Sequence, residues 1–338
     1  MRSADTKIAR RPAGAFARRS FLFALGAWPL ARAAAPAWPD RPLTLAVPAG
    51  AGTGPDITAR RIADLVAPQL GQPVIVDNRA GAAGALAAEH ALHGGTDGHS
   101  LLLGTSATIC INPLMPKNAG PDPASAFRPV CMLTRGHPLL VVPADFPASD
   151  LAQFVARAKS GARQVTYASA GAGSSSHLAG ALLASVTGTP LYHVPYSDEA
   201  RAIVDVLGGQ VDAMITFAAA VAPHVQAGKL KALAIAGPKR SPLLSAVRTS
   251  TEQGFPAFDL SGWLGIFVPA GVAAERVAQL EREFIAAARA PAYSGWVASL
   301  GSEAVALASA DFAAAIQADR AKYAALLRAA NLLAGARP

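Results

Sequence analysis

Gly50, Gly52 and Gly54 stand at alternate positions after the apolar run LTLAVP at 43–48, and Asp56 follows at the start of a helical pattern. A turn this rich in glycine lets backbone N–H groups approach a bound group closely, and the helix behind it adds the positive end of its dipole. Two kinds of anion suit such a turn: the pyrophosphate of a dinucleotide, or a small acid group. A dinucleotide turn needs Gly-x-Gly-x-x-Gly between strand and helix, with an acid at the end of the next strand. Gly50 and Gly52 fit, and Asp77 ends the next apolar run, but the third position is Pro55. Proline offers no N–H and prevents the close packing that the third glycine provides. No Gly-Lys-Ser/Thr follows either, which excludes a phosphate loop. The small anion is therefore the leading reading. The alternative is an exported enzyme that uses a nucleotide cofactor at 50–54.

Three more loops share this chemistry. GTSATICINP follows the run SLLLGT, ASAGAGSSSHLAG (168–180) follows QVTYAS, and VPYSDEARA (194–202) overlaps LYHVPY. Each leads away from a strand end, and at least three of the four loops open helices. Only Arg201 brings a cation near them, which points to a carboxylate held by backbone N–H groups, hydroxyls and water. One such loop alone is an ordinary turn whose serines cap a helix. Four of them, two on each side of a cleft, make a binding site.

No catalytic group is expected. SSSH at 174–177 lacks the Gly-x-Ser-x-Gly elbow, and a serine and histidine three apart on one helix do not form a nucleophile–base pair. Asp56 reads as a helix N-cap, with contact to a ligand amine as the other possibility. His177 reads as a buried histidine orienting its loop. Asp198 is either a solvated acid at a helix start or a site residue, and Asp212 either touches ligand or caps a turn. Asn78 and Arg79 read as turn residues.

The elements that must position these loops alternate. Strands are predicted at 43–48, 73–78 and 100–105, with helices from Asp56 to about Ala67 (ended by Pro68) and over 81–92. Residues 116–129 form a Pro/Gly/Asp-rich surface loop, and 130–143 carries the chain into a second lobe. There a helix (DLAQFVARAK), strand (QVTYAS), helix (SSSHLAGALLASV) and strand (LYHVPY) follow. A helix over 199–207 and strands VDAMITF and KALAIA complete the lobe. WLGIFVP (263–269) returns the chain, and two amphipathic helices close it. One carries Val277, Leu280 and Phe284, the other Phe312, Ile316, Tyr323 and Leu327. Strands alternating with helices predict mostly parallel sheets.

Length and charge agree. A chain of 338 residues with 52% hydrophobic content supports two packed lobes. Of the formal charge of +8, residues 1–37 account for +6 and the remaining residues for +2, so the body has no basic face for nucleic acid. The leader, RRPAGAFARRSFLFALGAWPLARAAAPAW, joins a charged region to a short apolar one and then to small residues. That is an export signal of twin-arginine or ordinary type, cut after Ala33 or Ala37, and it implies the periplasm. Cys110 and Cys131 are either one disulfide or two buried thiols, and with no clustered histidines they make no zinc site.

The chain resembles the periplasmic solute receptors of tripartite tricarboxylate transporters, the Bug-type (TctC-like) family. In the first lobe the resemblance rests on WPDRPLTLAVPAGAGTGPDITAR, QPVIVDNRAGAAG, DGHSLLLGT and FRPV. In the second it rests on VTYASAGAGSSSHLAG, HVPYSDEA, LGGQVDAMI and GKLKALAIAGPKRS, followed by EQGFPAFDLSGWLGIFVPAG. It implies an α/β, two-lobed type II periplasmic binding protein fold. Each lobe is a mixed, mostly parallel sheet flanked by helices, with a hinge and an interlobe cleft. Residues 38–136 plus 262–338 would form lobe 1, and 137–261 lobe 2. The implied function is capture of a small carboxylate-bearing metabolite by lobe closure, without cofactor or metal, by a monomer serving a membrane transporter or a sensor. The implied ligand contacts are Ala51, Gly52, Thr53, Thr105 and Ser106 in lobe 1. In lobe 2 they are Ser169, Ala170, Gly171, Gly173, Ser174, Tyr196, Ser197, Asp198 and Asp212. Three departures stand out: Thr53 replaces a usual glycine, Pro55 a usual Thr or Ser, and Ser197-Asp198 the usual Lys-Gly. Losing a lysine and gaining an acid points to a zwitterion or mono-carboxylate, with an amine against Asp198.

Overall fold

The computed structural model describes residues 38–115, 122–161 and 163–329. The expected leader lies outside these residues, as does the 116–121 part of the surface loop. The chain begins β1 (Leu43–Val47), α1 (Gly54–Leu70), β2 (Val74–Asn78), α2 (Ala85–His93) and β3 (Ser100–Thr105). After α3 (Pro123–Ala126), β4 (Phe127–Gly136) leads into β5 (Leu139–Pro143). Then come α4 (Leu151–Lys159), β6 (Val165–Ser169), α5 (Ser175–Thr187), β7 (Leu191–Pro195), α6 (Glu199–Leu207) and β8 (Ala213–Thr216). The chain continues through α7 (Ala218–Gln226), β9 (Leu230–Ile235), β10 (Gly262–Pro269), α8 (Ala274–Arg289), α9 (Pro291–Ser299), β11 (Glu303–Ala308) and α10 (Ser309–Ala329). Among the described residues no helix is long and apolar enough to cross a membrane.

Two sheets result, ordered β11-β4-β10-β3-β1-β2 and β7-β6-β8-β5-β9. The pairs β1–β2, β1–β3, β6–β7 and β6–β8 are parallel, as strand–helix alternation requires. The strands beside the crossings between sheets run antiparallel: β10 against β3 and β4, β11 against β4, and β5 against β8 and β9. The antiparallel share is thus larger than the alternation suggests, because the crossing strands enter each sheet without a helical return. The chain leaves the first sheet at Gly136 and re-enters it at Gly262. His137, between them in space, sets Nδ1 2.9 Å from the Ala236 carbonyl and 3.0 Å from the Leu260 carbonyl, tying both crossings together.

One core cluster spans both sheets, joining Leu102, Phe267 and Phe312 to Leu140 and Phe154. Trp263 and Phe312 meet edge to face at 5.0 Å. Each fully buried aromatic of this set contributes roughly 1.5–3 kcal/mol. A second cluster fills the other face of the first sheet, with Leu45, Ile62, Leu101, Leu280 and Phe284. The free thiols of Cys110 and Cys131 are buried in these two different clusters, on opposite faces of the sheet. Burial pushes the Cys131 thiol up to about 12, and Cys110 higher still.

Several elements depart from the prediction, and α3 with the start of β4 occupies 123–129 of the expected surface loop. α1 runs through Pro68 to Leu70 before Gly71 ends it at φ 67°. A proline in the last turn removes a single hydrogen bond, which the packing of Leu70 offsets. α7 separates β8 from β9, and α9 and β11 intervene between the two closing helices.

Candidate functional site

Parallel pairing sends the carboxyl ends of β1, β2 and β3 to one side of their sheet, and those of β6, β7 and β8 to one side of theirs. The loops after these ends meet. Ser106, after β3, lies with its Oγ 3.1 Å from the Oγ of Ser175, at the start of α5, and both residues are buried. At Gly173 a Cβ would lie 2.7 Å from Asn112 Oδ1 and 2.8 Å from Met115 Sδ, so the second-lobe loop touches the segment after β3 directly. Phe217, directly after β8, packs where a Cβ on Gly262 would stand 2.7 Å from its ring. The end of β8 therefore lies at the floor between the lobes, beside a crossing.

In the first lobe the glycine turn is organised by Asp56. Thr53 holds the N-cap position of α1, and its Oγ1 donates to the Gly50 carbonyl at 2.7 Å. Asp56 is not the cap. As the third helical residue it reaches back, one carboxylate oxygen accepting Gly52 N–H at 2.8 Å and the other accepting Asn78 Nδ2 at 2.9 Å. Arg60 lies 3.0 Å away, and Asn78 also donates to the Ala49 carbonyl. Burial alone raises the Asp56 carboxyl, but the Arg60, Gly52 and Asn78 contacts outweigh it and hold it below the usual range. Asn78 thus braces the loop rather than forming a simple turn. The arrangement also disfavours the nucleotide alternative, because a carboxylate occupies the turn where a pyrophosphate would sit. Thr105 is a local brace as well: its Oγ1 accepts Thr108 N–H at 3.0 Å and starts the π-helical turn Ala107–Ile111.

In the second lobe the loop after β6 satisfies its own donors. Ala170 N–H donates to Ser176 Oγ (3.1 Å), Gly171 N–H to Ser169 Oγ (3.2 Å), Gly173 N–H to His177 Nδ1 (3.2 Å) and Ser174 N–H to the Gly171 carbonyl (3.2 Å). Ser174 caps α5 by accepting His177 N–H at 3.1 Å. Beneath the loop, His193 on β7 places Nε2 2.6 Å from Ser169 Oγ and stacks on His177. Burial lowers both imidazoles to about 4, and for His193 the neighbouring His177 adds to the effect. His177 was legible as a loop-orienting histidine; its partner His193 was not, because the contact joins α5 to a strand across β6. Tyr196 N–H donates to the Ser169 carbonyl at 3.1 Å, and its hydroxyl donates to Asp205 at 2.7 Å. Burial, then this carboxylate, raises the Tyr196 phenol. Ser197 is exposed, and Asp198 is the N-cap of α6, accepting Ala200 N–H at 3.0 Å.

Asp212 stands apart from the cleft. It precedes β8, at the opposite end of the strand from Thr216, and its buried carboxylate accepts Thr166 N–H and Oγ1, both at 2.9 Å, and pairs with Arg163. One acid absent from the sequence reading is at the cleft instead: the first residue of α6, Glu199, accepts a hydrogen bond from Thr216 Oγ1 at the buried end of β8. The signal available was its place directly after Asp198, the last of the expected contacts in this loop.

Comparison with known proteins agrees with this architecture. Residues 58–332 match the family model described as "Tripartite tricarboxylate transporter family receptor". Protein BugT of Bordetella pertussis is 33% identical over 250 residues, covering 72% of this chain and 76% of that protein. The solved structure titled "R. palustris Rpa4515 with adipate" is 29% identical and superposes with a TM-score of 0.80, covering 88% of this chain and 99% of that one. MatC (Rpa3494) from Rhodopseudomonas palustris with bound malate is 32% identical, with a TM-score of 0.76, covering 86% of this chain and all of that one. With two mixed sheets joined by paired crossings and the loops of both facing one cleft, the chain belongs to the TctC receptor family of the tripartite tricarboxylate transporters, a family of carboxylate-binding solute receptors.

Proposed function

We propose that this chain is a periplasmic receptor, not an enzyme, that traps a small carboxylated metabolite between its lobes and presents the closed form to a membrane transporter. The observation that carries the reading is the Ser106–Ser175 contact, where loops from the two sheets meet at the carboxyl ends of their parallel strands. Helix α1, 17 residues long, opens at this place, and α5 and α6 open across from it. The first turn of α1 and the dipoles of the three helices suit a carboxylate without any basic side chain. Ala51, Thr53 and the first turn of α1 supply the first-lobe contacts. Ser169 to Ser174 and Tyr196 wall the opposite side. The adipate and malate carried by the two related structures are of the expected chemical class. Lobe closure, with residues 38–136 and 262–338 moving against 137–261, follows the hinge logic of two sheets joined by two crossings. One chain supplies both walls, so the receptor works as a monomer. It is exported by its basic leader, and a transporter or a sensor reads its closed state.

The test is isothermal titration of the purified protein with malate, adipate, aspartate and 4-aminobutyrate, with solution scattering of each mixture. A carboxylate that binds and reduces the radius of gyration supports the reading. Failure of a correctly folded protein to respond to any organic acid overturns it.

A further inference from the structure

Glu199 is an exposed acid at the edge of the cleft, and among the described residues it has no counter-ion. It opens α6, whose N-cap is already supplied by Asp198, so its carboxylate has no capping duty. It turns instead toward Thr216 at the end of β8 and accepts that hydroxyl. Thr216 is buried, and the next residue, Phe217, packs against Gly262 at the crossing, with Ser106 also near Gly262. This places the carboxylate at the edge of the cleft floor. Among the described residues no Lys, Arg or His forms an ion pair with Glu199. A carboxylate accepts about four hydrogen bonds, and one hydroxyl leaves most of that capacity open.

The second-lobe wall beside it is poor in free donors. The amides of Ala170, Gly171, Gly173 and Ser174 all have acceptors within their own loop or the first turn of α5. An incoming carboxylate there would displace existing bonds and share the wall with an unpaired acid. An ammonium group would meet an exposed carboxylate that is anchored through Thr216, in a charge-assisted contact. The first-lobe turn has the opposite character. Its one nearby acid, Asp56, is neutralised by Arg60, and α1 presents its positive end.

We propose that Glu199 is the specificity-determining residue of the cleft, binding the cationic amine of a ligand whose carboxylate sits on the first-lobe turn, so that the substrate class is amino acids rather than di- or tricarboxylates. This deepens the receptor reading and rests on it. Selection works by repulsion as much as by attraction, since the unpaired acid rejects a second carboxylate on the ligand at this position.

Titration calorimetry on the wild type, Glu199→Gln and Glu199→Ala separates the ideas. The probes are 4-aminobutyrate, 5-aminopentanoate and aspartate against succinate, glutarate and malate. The wild type is expected to bind at least one ammonium-bearing probe ten-fold or more tighter than the dicarboxylate of matching length. Glu199→Gln keeps the Thr216 contact and removes the charge; it is expected to weaken that probe by at least ten-fold while binding the dicarboxylate as well as or better than the wild type. Circular dichroism confirms that each variant folds. A wild type that prefers the dicarboxylates, or a preference that Glu199→Gln leaves in place, overturns the assignment while leaving the carboxylate receptor intact. Binding of no acid by the folded wild type overturns the receptor reading itself, and this assignment with it.

Discussion

The imidazole rings of His177 and His193 stack with centroids 3.9 Å apart and planes 18° from parallel, directly beneath the loop that walls the second lobe. His177 accepts Gly173 N–H through Nδ1, which fixes it as the neutral form with its proton on Nε2. His193 holds Ser169 Oγ at 2.6 Å. The pair therefore fixes both ends of the loop, and the His177 contact holds only while that ring is uncharged.

Acid is predicted to weaken the fold through this pair. Both imidazoles are lowered from an ordinary value near 6.5 to about 4, chiefly by burial. Between those limits the unfolded chain binds more protons than the folded one, so stability falls as pH falls. The contribution is complete above about pH 6.5 and levels off below about pH 4. For the well-buried His177 the shift corresponds to about 3 kcal/mol. The more exposed His193 adds less. Urea unfolding at pH 7.5 and 4.5 measures the difference, and imidazole NMR titration assigns it. Titration of both rings near pH 6.5 would contradict the arrangement.

Asp212→Ala is predicted to reduce stability and spare binding. The change strands Thr166 N–H and its hydroxyl, at a cost of about 1–3 kcal/mol. The Arg163 contact adds little, because that side chain is mostly in water. Ligand affinity of the folded variant should stay within two-fold of the wild type, measured well below its melting temperature. A ten-fold loss would return Asp212 to the list of ligand contacts.

What the sequence revealed follows from the range of the interactions involved. The turn at 50–56 was legible because its glycines lie between an apolar strand pattern and a helical one, all within a few residues. The role of Asp56 was misread and that of Asp212 left open, because each carboxylate finds a partner that spacing alone does not name: Asn78 for one, Thr166 for the other. Glu199 faces the cleft floor only because α6 crosses to bring its first turn over the end of β8, a relation set by sheet order. β11 escaped notice for a local reason. It lies at a sheet edge with most residues half-buried, and a register shift between Ala304 and Leu307, with Ala306 at φ 47°, erases the alternation that marks a strand.

Asp56→Ala is predicted to loosen the first-lobe turn. It frees Gly52 N–H, removes the acceptor for Asn78 and leaves Arg60 without its carboxylate. A stability loss of about 1–3 kcal/mol is expected. Carboxylate binding is also expected to fall, since the turn no longer enters the complex in one conformation. Asp56→Asn retains an acceptor for Gly52 and should retain most of the affinity. Calorimetry on both variants checks the order, and equal affinity of Asp56→Ala and wild type would show that the brace does not serve the site.

Gly173→Ala is predicted to act on closure. Gly173 has φ 79°, so alanine there costs about 1–2 kcal/mol of backbone strain in any state of the lobes. The added methyl would also stand 2.7 Å from Asn112 Oδ1 and 2.8 Å from Met115 Sδ, across the junction of the two lobes. That second penalty exists only when the lobes are together, so it appears in affinity rather than in stability. The variant should therefore bind its ligand more weakly by a larger free energy than its ligand-free loss of stability explains. Met115→Ala in the same chain makes room for the methyl and should recover part of the affinity while leaving the backbone strain untouched. Calorimetry and urea unfolding on the single and double variants separate the two terms. Identical losses in both measurements, with no recovery from Met115→Ala, would mean that this contact is not one that closure makes.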